Sequence, residues 1–283
     1  MKKMIIMSLL FVCSAMAVQA QLLYKVSKDS TTNASYIMAT HRLLNPMGII
    51  SQMPELKEAI TKTDQMYFEV NKQAYASTLR DAKKLQDGKQ LLSLLSPTQQ
   101  QLLNAFLKKY MEVDFRSSYV QDKFGSLTPA ALLEELEQLL FVANNMGKVD
   151  PTNTFDTYLA SQAKVNNETI GSLTDVDTYI NTTYRSNLSK QTETLVKFLE
   201  NEDVELSKLN KAADAFTAQD LDKVAQNMPH SVDAATLLAW CNKMGEVMSA
   251  KPTLFVFDAA NLGGADGLLQ VLRTAGYKVE ACH

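Results

Sequence analysis

The amino-acid sequence predicts a mixed α/β domain whose one sheet is built from the N- and C-terminal segments, with a large helical insertion between them. Three observations carry this. Short apolar or alternating runs stand near both ends of the chain. Leucine stripes at helical spacing fill the middle. No repeat or linker divides residues 21–283, a length that one core can serve.

Leu22 to Lys28 and Ser35 to Thr40 read as strands joined by the polar turn Asp29 to Ala34. Pro54 opens a helix carrying Leu56 and Ile60, and Gln65 to Val70 reads as the next strand. Residues 71–235 are expected to be mainly helical. Ser96-Pro97 is a cap with proline at the first helical position, followed by Leu102, Leu103, Phe106, Leu107 and Tyr110 on one face. Thr128-Pro129 repeats the device ahead of Leu132, Leu133, Leu136, Leu139 and Leu140, with Gly147 as a stop. Phe155 to Val165 and Leu188 to Leu209 are further amphipathic helices. Leu237 to Met248 reads as helix, and Thr253 to Phe257 as a buried strand. Gly263-Gly264 make a turn, Ala265 to Ala275 a helix ended by Gly276, and Tyr277 to Ala281 a closing strand.

The first twenty residues have the form of a cleavable signal peptide: Lys2 and Lys3, the apolar stretch Met4 to Ala17, then small residues Val18 and Ala20 before Gln21. The stretch is too short to cross a bilayer as a helix. Cys13 follows the bulky Val12, unlike a lipoprotein cysteine. The expectation is an exported protein, periplasmic or extracellular, with no transmembrane anchor after cleavage. Cleavage takes Lys2 and Lys3 from the 28 basic residues, leaving 26 against 31 acidic and a net charge of about −5. That balance offers no electrostatic footprint for nucleic acid or anionic lipid. Two cysteines remain, Cys241 and Cys282. An oxidising compartment allows one disulfide between them, and two buried thiols are the alternative.

Several segments together resemble the TraB/PrgY/GumN family. "LLYKVSKDSTTNASYIMATHRLLNP" is similar to the family's opening, where a strand ends in Gly-Thr-x-His. "MPELKEAITKTDQMYFEV" looks like its helix and strand ending in a glutamate, here Glu69. "FDTYLASQAKVNNETIGSLTDVDTY" is similar to the mid-chain segment. "KPTLFVFDAANLGGADGLLQVLRTAGYKVEAC" looks like the last unit, where a strand ends in Gly-x-x-His. The resemblance implies a metal-dependent peptidase or hydrolase, or an inhibitor of peptide pheromone signalling. Two histidines and the glutamate would gather at a divalent metal that polarises a carbonyl and acidifies a water.

This chain departs from that pattern at nearly every working position. Ala39 stands for the first glycine and Arg42 for the first histidine, with His41 in the variable place between. Asp258 and Asn261 replace the second glycine and histidine. Leu173 replaces the mid-chain glutamate, and Thr236 the arginine expected four residues before Trp240. Only Glu69 persists. Arginine has no lone pair to give, and asparagine offers a neutral oxygen in place of imidazole. The resemblance therefore implies a degenerate member, holding no metal or cofactor, that binds a peptide or envelope protein without catalysis. The alternative is an active hydrolase with zinc or manganese held at a rearranged site by His41 and Glu69. Arg42 is expected either to pair with Glu69 in the former metal position or to face solvent. Asn261 is expected to satisfy backbone groups in a turn. His230 and His283 have no ligand-spaced companions and read as surface residues, and the sequence sets no oligomeric state.

Overall fold

The computed structural model describes residues 21–28, 34–147, 149 and 153–282. The expected signal peptide, most of the turn after Lys28, and His283 lie outside the described residues. Strands β1 (Leu23–Ser27) and β2 (Ser35–Thr40) are followed by helices α1 (Met47–Ile50) and α2 (Pro54–Lys62), then β3 (Gln65–Phe68). The insertion contributes α3 (Ala76–Ala82), α4 (Pro97–Met111), α5 (Ser118–Phe124), α6 (Pro129–Asn144) and α7 (Phe155–Val165). A strand, β4 (Thr169–Ser172), precedes α8 (Val176–Thr183), α9 (Leu188–Glu200), α10 (Glu202–Thr217) and α11 (Leu221–Asn227). The chain closes with α12 (Ala234–Ala250), β5 (Thr253–Asp258), α13 (Leu268–Thr274) and β6 (Lys278–Ala281).

The six strands form one mixed sheet in the order β4-β3-β5-β2-β1-β6. Strands β4, β3, β5 and β2 run parallel, and β1 is antiparallel to both of its neighbours. Parallel strands are buried on both faces, which is why β5 reads as an unbroken apolar run. In the β2–β5 register Ile37 opposes Phe255 and Ala39 opposes Phe257, so these side chains share a face. On that face α12 lays Trp240 against Phe257, ring centroids 5.4 Å apart. The other face receives α2, whose Ala59 lines a cavity with Tyr36 and Lys25.

The helix starts follow their caps. Ser96 and Gln99 form a capping box at α4, with Pro97 in the first turn. Thr128, Thr154 and Asp233 each accept from a backbone N–H at α6, α7 and α12. The expected helix from Leu188 to Leu209 is two helices, because Asn201 leaves helical geometry and donates its side-chain amide to Lys197 O at 2.8 Å. The helix expected from Ala265 begins only at Leu268. Gly264 is left-handed (φ +85), and a Cβ on Gly267 would lie 2.1 Å from Gly263 O, so residues 264–267 turn tightly first. The insertion also gives the sheet a strand, β4, which the alternation of so short a segment did not announce.

Candidate functional site

The carboxyl ends of β2, β3, β4 and β5 meet at one rim of the sheet, where ligands bind in open α/β sheets. There the chain places Thr40 to Arg42, Glu69, Leu173, and Asp258 to Asn261. The structure thus gathers the positions that sequence singled out, but in a different set of pairings.

Glu69 is half-buried and central. Its Oε1 accepts from Asp258 N at 3.0 Å and from Asn261 Nδ2 at 2.9 Å. Burial and the nearby Asp258 charge push its carboxyl up to about 8, against the pull of the Asn261 amide and the Lys72 ammonium. Asn261 is fully buried. Its Oδ1 accepts from Ser231 N at 2.9 Å, and its Nδ2 also lies 2.9 Å from Ser231 Oγ. Asn261 therefore does satisfy a backbone group, that of Ser231, and bridges it to Glu69. Asp258 turns its carboxylate to Ala260 N, 2.9 Å away, capping the short 3-10 turn Ala259–Asn261.

Arg42 does not pair with Glu69. Its Nη2 meets Glu137 Oε2 on α6 at 2.7 Å, with the guanidinium side chain 41% exposed. The cause is the insertion: α6 supplies a carboxylate on the outer side of the loop after β2, while Asp258 and Asn261 already occupy Glu69.

His41 is buried beside the rim at 3% exposure. Its Nδ1 accepts from Leu43 N at 3.2 Å, which puts the ring proton on Nε2. Among the described residues Nε2 has no hydrogen-bond partner. The ring packs 5.3 Å from Phe216 and 6.4 Å from Phe141. Desolvation drives its pKa down to about 4, so the imidazole is neutral near pH 7.

The remaining positions are structural. Ala39 is fully buried under the sheet's α12 face. Leu173 donates its backbone N–H to Phe68 O, and its side chain packs on the core. Thr236 donates its backbone N–H and its hydroxyl to Asp233 Oδ1, the cap of α12. Trp240 donates Nε1 to Thr174 Oγ1 at 2.7 Å. His230, expected at the surface, has only 15% of its side chain exposed. Its Nε2 lies 3.2 Å from Gly263 O, joining the loop before α12 to the turn before α13.

Sequence reasoning missed the partners that come from the insertion. Asp156, at the start of α7, has its carboxyl raised by burial, against Lys72 and with Asp258 adding repulsion. Lys72 lies 5.4 Å over the Tyr179 ring. Neither stands in a motif.

Of the two alternatives for the cysteines, the structure has the thiols: Cys241 is free and buried, and Cys282 is free and partly exposed. Cys241 is on α12 one turn before Gly245, against which Tyr277 packs. Cys282 lines the cavity of about 300 Å³ with Tyr36, Glu55 and Glu58, on the α2 side. The sheet separates them.

A family model described as TraB/PrgY/gumN matches residues 22–281. The chain belongs to the TraB/PrgY/gumN family. No curated protein and no solved structure matches it. The family's implied metal does not fit the residues present here. Asn261 spends its oxygen on Ser231 and aims an N–H donor at Glu69, Arg42 is cationic, and the lone pair of His41 Nδ1 is engaged by Leu43 N–H. Among the described residues no three histidines, cysteines or acids are grouped to hold a metal ion.

Proposed function

We propose that this TraB/PrgY/gumN-family protein is exported and non-catalytic, and that it binds a peptide or an envelope protein at the rim formed by the strand ends. The observation that carries the reading is the Glu69–Asn261–Ser231 bridge. Hydrolysis through a metal needs several lone pairs converging on one point. Here the amide at the second histidine position presents a hydrogen to Glu69 instead, and the two residues satisfy each other. The result is a closed polar network that holds β3, the turn after β5 and the loop before α12 together. Export is supported by the signal-peptide form of residues 1–20, outside the described residues. Peptide binding is supported by the family and by the polar character of the rim, where Arg42 and Lys72 stand near Asp258 and Asp156 beside the protonated Glu69.

The test is metal analysis of the purified mature protein beside a broad peptidase assay. The expected result is metal well below one equivalent and no cleavage above background. Stoichiometric zinc, manganese or cobalt with chelator-sensitive cleavage would overturn the reading in favour of an active hydrolase.

A further inference from the structure

We propose that a bound peptide adds as an extended strand to the outer edge of β4. This rests on the peptide-binding reading above and says where and how the chain would lie. The sheet has two edges, β4 and β6. Proteins blunt exposed edges with charge, proline or bulges, because unpaired backbone groups recruit other strands. The β6 edge is guarded in this way: Lys278 and Glu280 are exposed and paired at 2.7 Å, and the Lys28 ammonium lies 4.9 Å over Tyr277 just before the strand. The β4 edge is not. Its residues Thr169, Ile170, Gly171 and Ser172 carry no charge and no proline, and all are at least partly exposed.

The backbone defines what fits there. Leu173 N–H donates to Phe68 O at 2.9 Å, so strand alternation turns the N–H groups of Thr169 and Gly171 toward β3 as well. The N–H and C=O groups of Ile170 and Ser172 then face outward, and among the described residues no neighbouring element supplies them a partner. Two donors and two acceptors in alternation are complementary to an extended main chain. The edge leads directly to the rim. Ser172 Oγ accepts from Asn71 N at 2.9 Å, and Thr174 N–H donates to Glu69 O at 2.9 Å. A strand added to β4 would thus end beside Lys72 and Glu69. A second copy of this chain is the weaker occupant, because two four-residue edges bury far less than the ~1,200 Å² of a stable specific interface.

The probe is a peptide selected from a display library of random nonamers panned against the mature protein. Amide hydrogen exchange is then followed by NMR with and without it. The Ile170 and Ser172 amides should exchange rapidly in the free protein and slow by about tenfold or more at saturation. N-methylation of the peptide should weaken binding at alternate residues and spare those between. A peptide that binds but leaves these two amides unchanged overturns the edge proposal and leaves the peptide-binding reading standing. Protection that appears without peptide and grows with protein concentration assigns the edge to a second copy, and also overturns it. A library that yields no binder defeats both.

Discussion

At the scale of single residues, the molecule turns on Asn261. A fully buried amide with partners on Glu69 and Ser231 is a structural bolt, and its loss strands groups on both sides. Asn261→Leu is expected to destabilise the fold by about 2–4 kcal/mol, since each buried group left unpaired costs about 1–3 kcal/mol. Denaturant unfolding reads this directly, and a loss near zero would mean the network holds nothing together. Glu69 gives a second, pH-dependent expectation. Its carboxyl is raised to about 8 in the fold from an ordinary 4.5, so it favours the folded state fully below pH 4.5 and loses that contribution as pH rises through 8. Glu69→Gln mimics the protonated form. The variant should match the parent near pH 4 and exceed it near pH 9, by about 1–3 kcal/mol after allowing for solvent at the half-buried carboxyl. Equal stability at both pH values would show that Glu69 ionises freely. The placement of Glu69 and Asn261 near strand ends was legible in the sequence, because both follow apolar runs in recognisable segments. The pairing of Arg42 was not, since Glu137 lies in a helix whose approach no local pattern encodes.

At the scale of elements, the turn between β5 and α13 sets the distance of α11 from the sheet. A Cβ on Gly263 would stand 2.1 Å from Leu221 O and 2.9 Å from Asp222 N, both backbone atoms that cannot swing aside. Gly263→Ala should therefore cost about 3 kcal/mol or more, by forcing α11 off the 3-10 turn. Thermal unfolding would show it as a large fall in Tm, and a variant as stable as the parent would mean that α11 shifts freely. Elements with caps were the legible ones: α4 and α6 start where Ser96 and Thr128 place them. Strand β4 was hidden because it is four residues long, includes a glycine, and owes its existence to β3 rather than to its own pattern. Gly171 is there for contact: the Tyr67 ring lies 2.4 Å from where its Cβ would be.

At the scale of the whole molecule, acid sensitivity is expected to start at His41. Its pKa near 4 in the fold lies below the ordinary 6.5, so the unfolded chain takes up the proton first as pH falls. The stability conferred by the neutral ring is complete above pH 6.5 and is lost as pH drops toward 4, by about 3 kcal/mol. Protonation would abolish the bond from Leu43 N–H and set a charge between Phe141 and Phe216. His41→Phe should flatten the pH 6.5 to 4 limb of the stability profile, whatever it costs at neutral pH. A variant with the parent's full acid loss would place the sensitive group elsewhere. The fold class itself could be read from the two ends of the sequence, because strands buried on both faces must be apolar throughout. The state of the two cysteines stayed open in the sequence, because their number and compartment say nothing about which face of a sheet a thiol occupies.

The central place of β5 has a consequence for how the chain acquires its shape. This strand joins β3 on one side to β2 on the other, pairing Thr253 with Gln65 and Leu254 with Tyr36. A chain that stops before Thr253 can pair β4 with β3 and β1 with β2, but lacks the strand that joins the two pairs into one sheet. Closure must wait for contacts that span almost the full length of the polypeptide, the kind that slow folding. Synthesis from the N-terminus therefore yields no continuous sheet until its last strands have emerged.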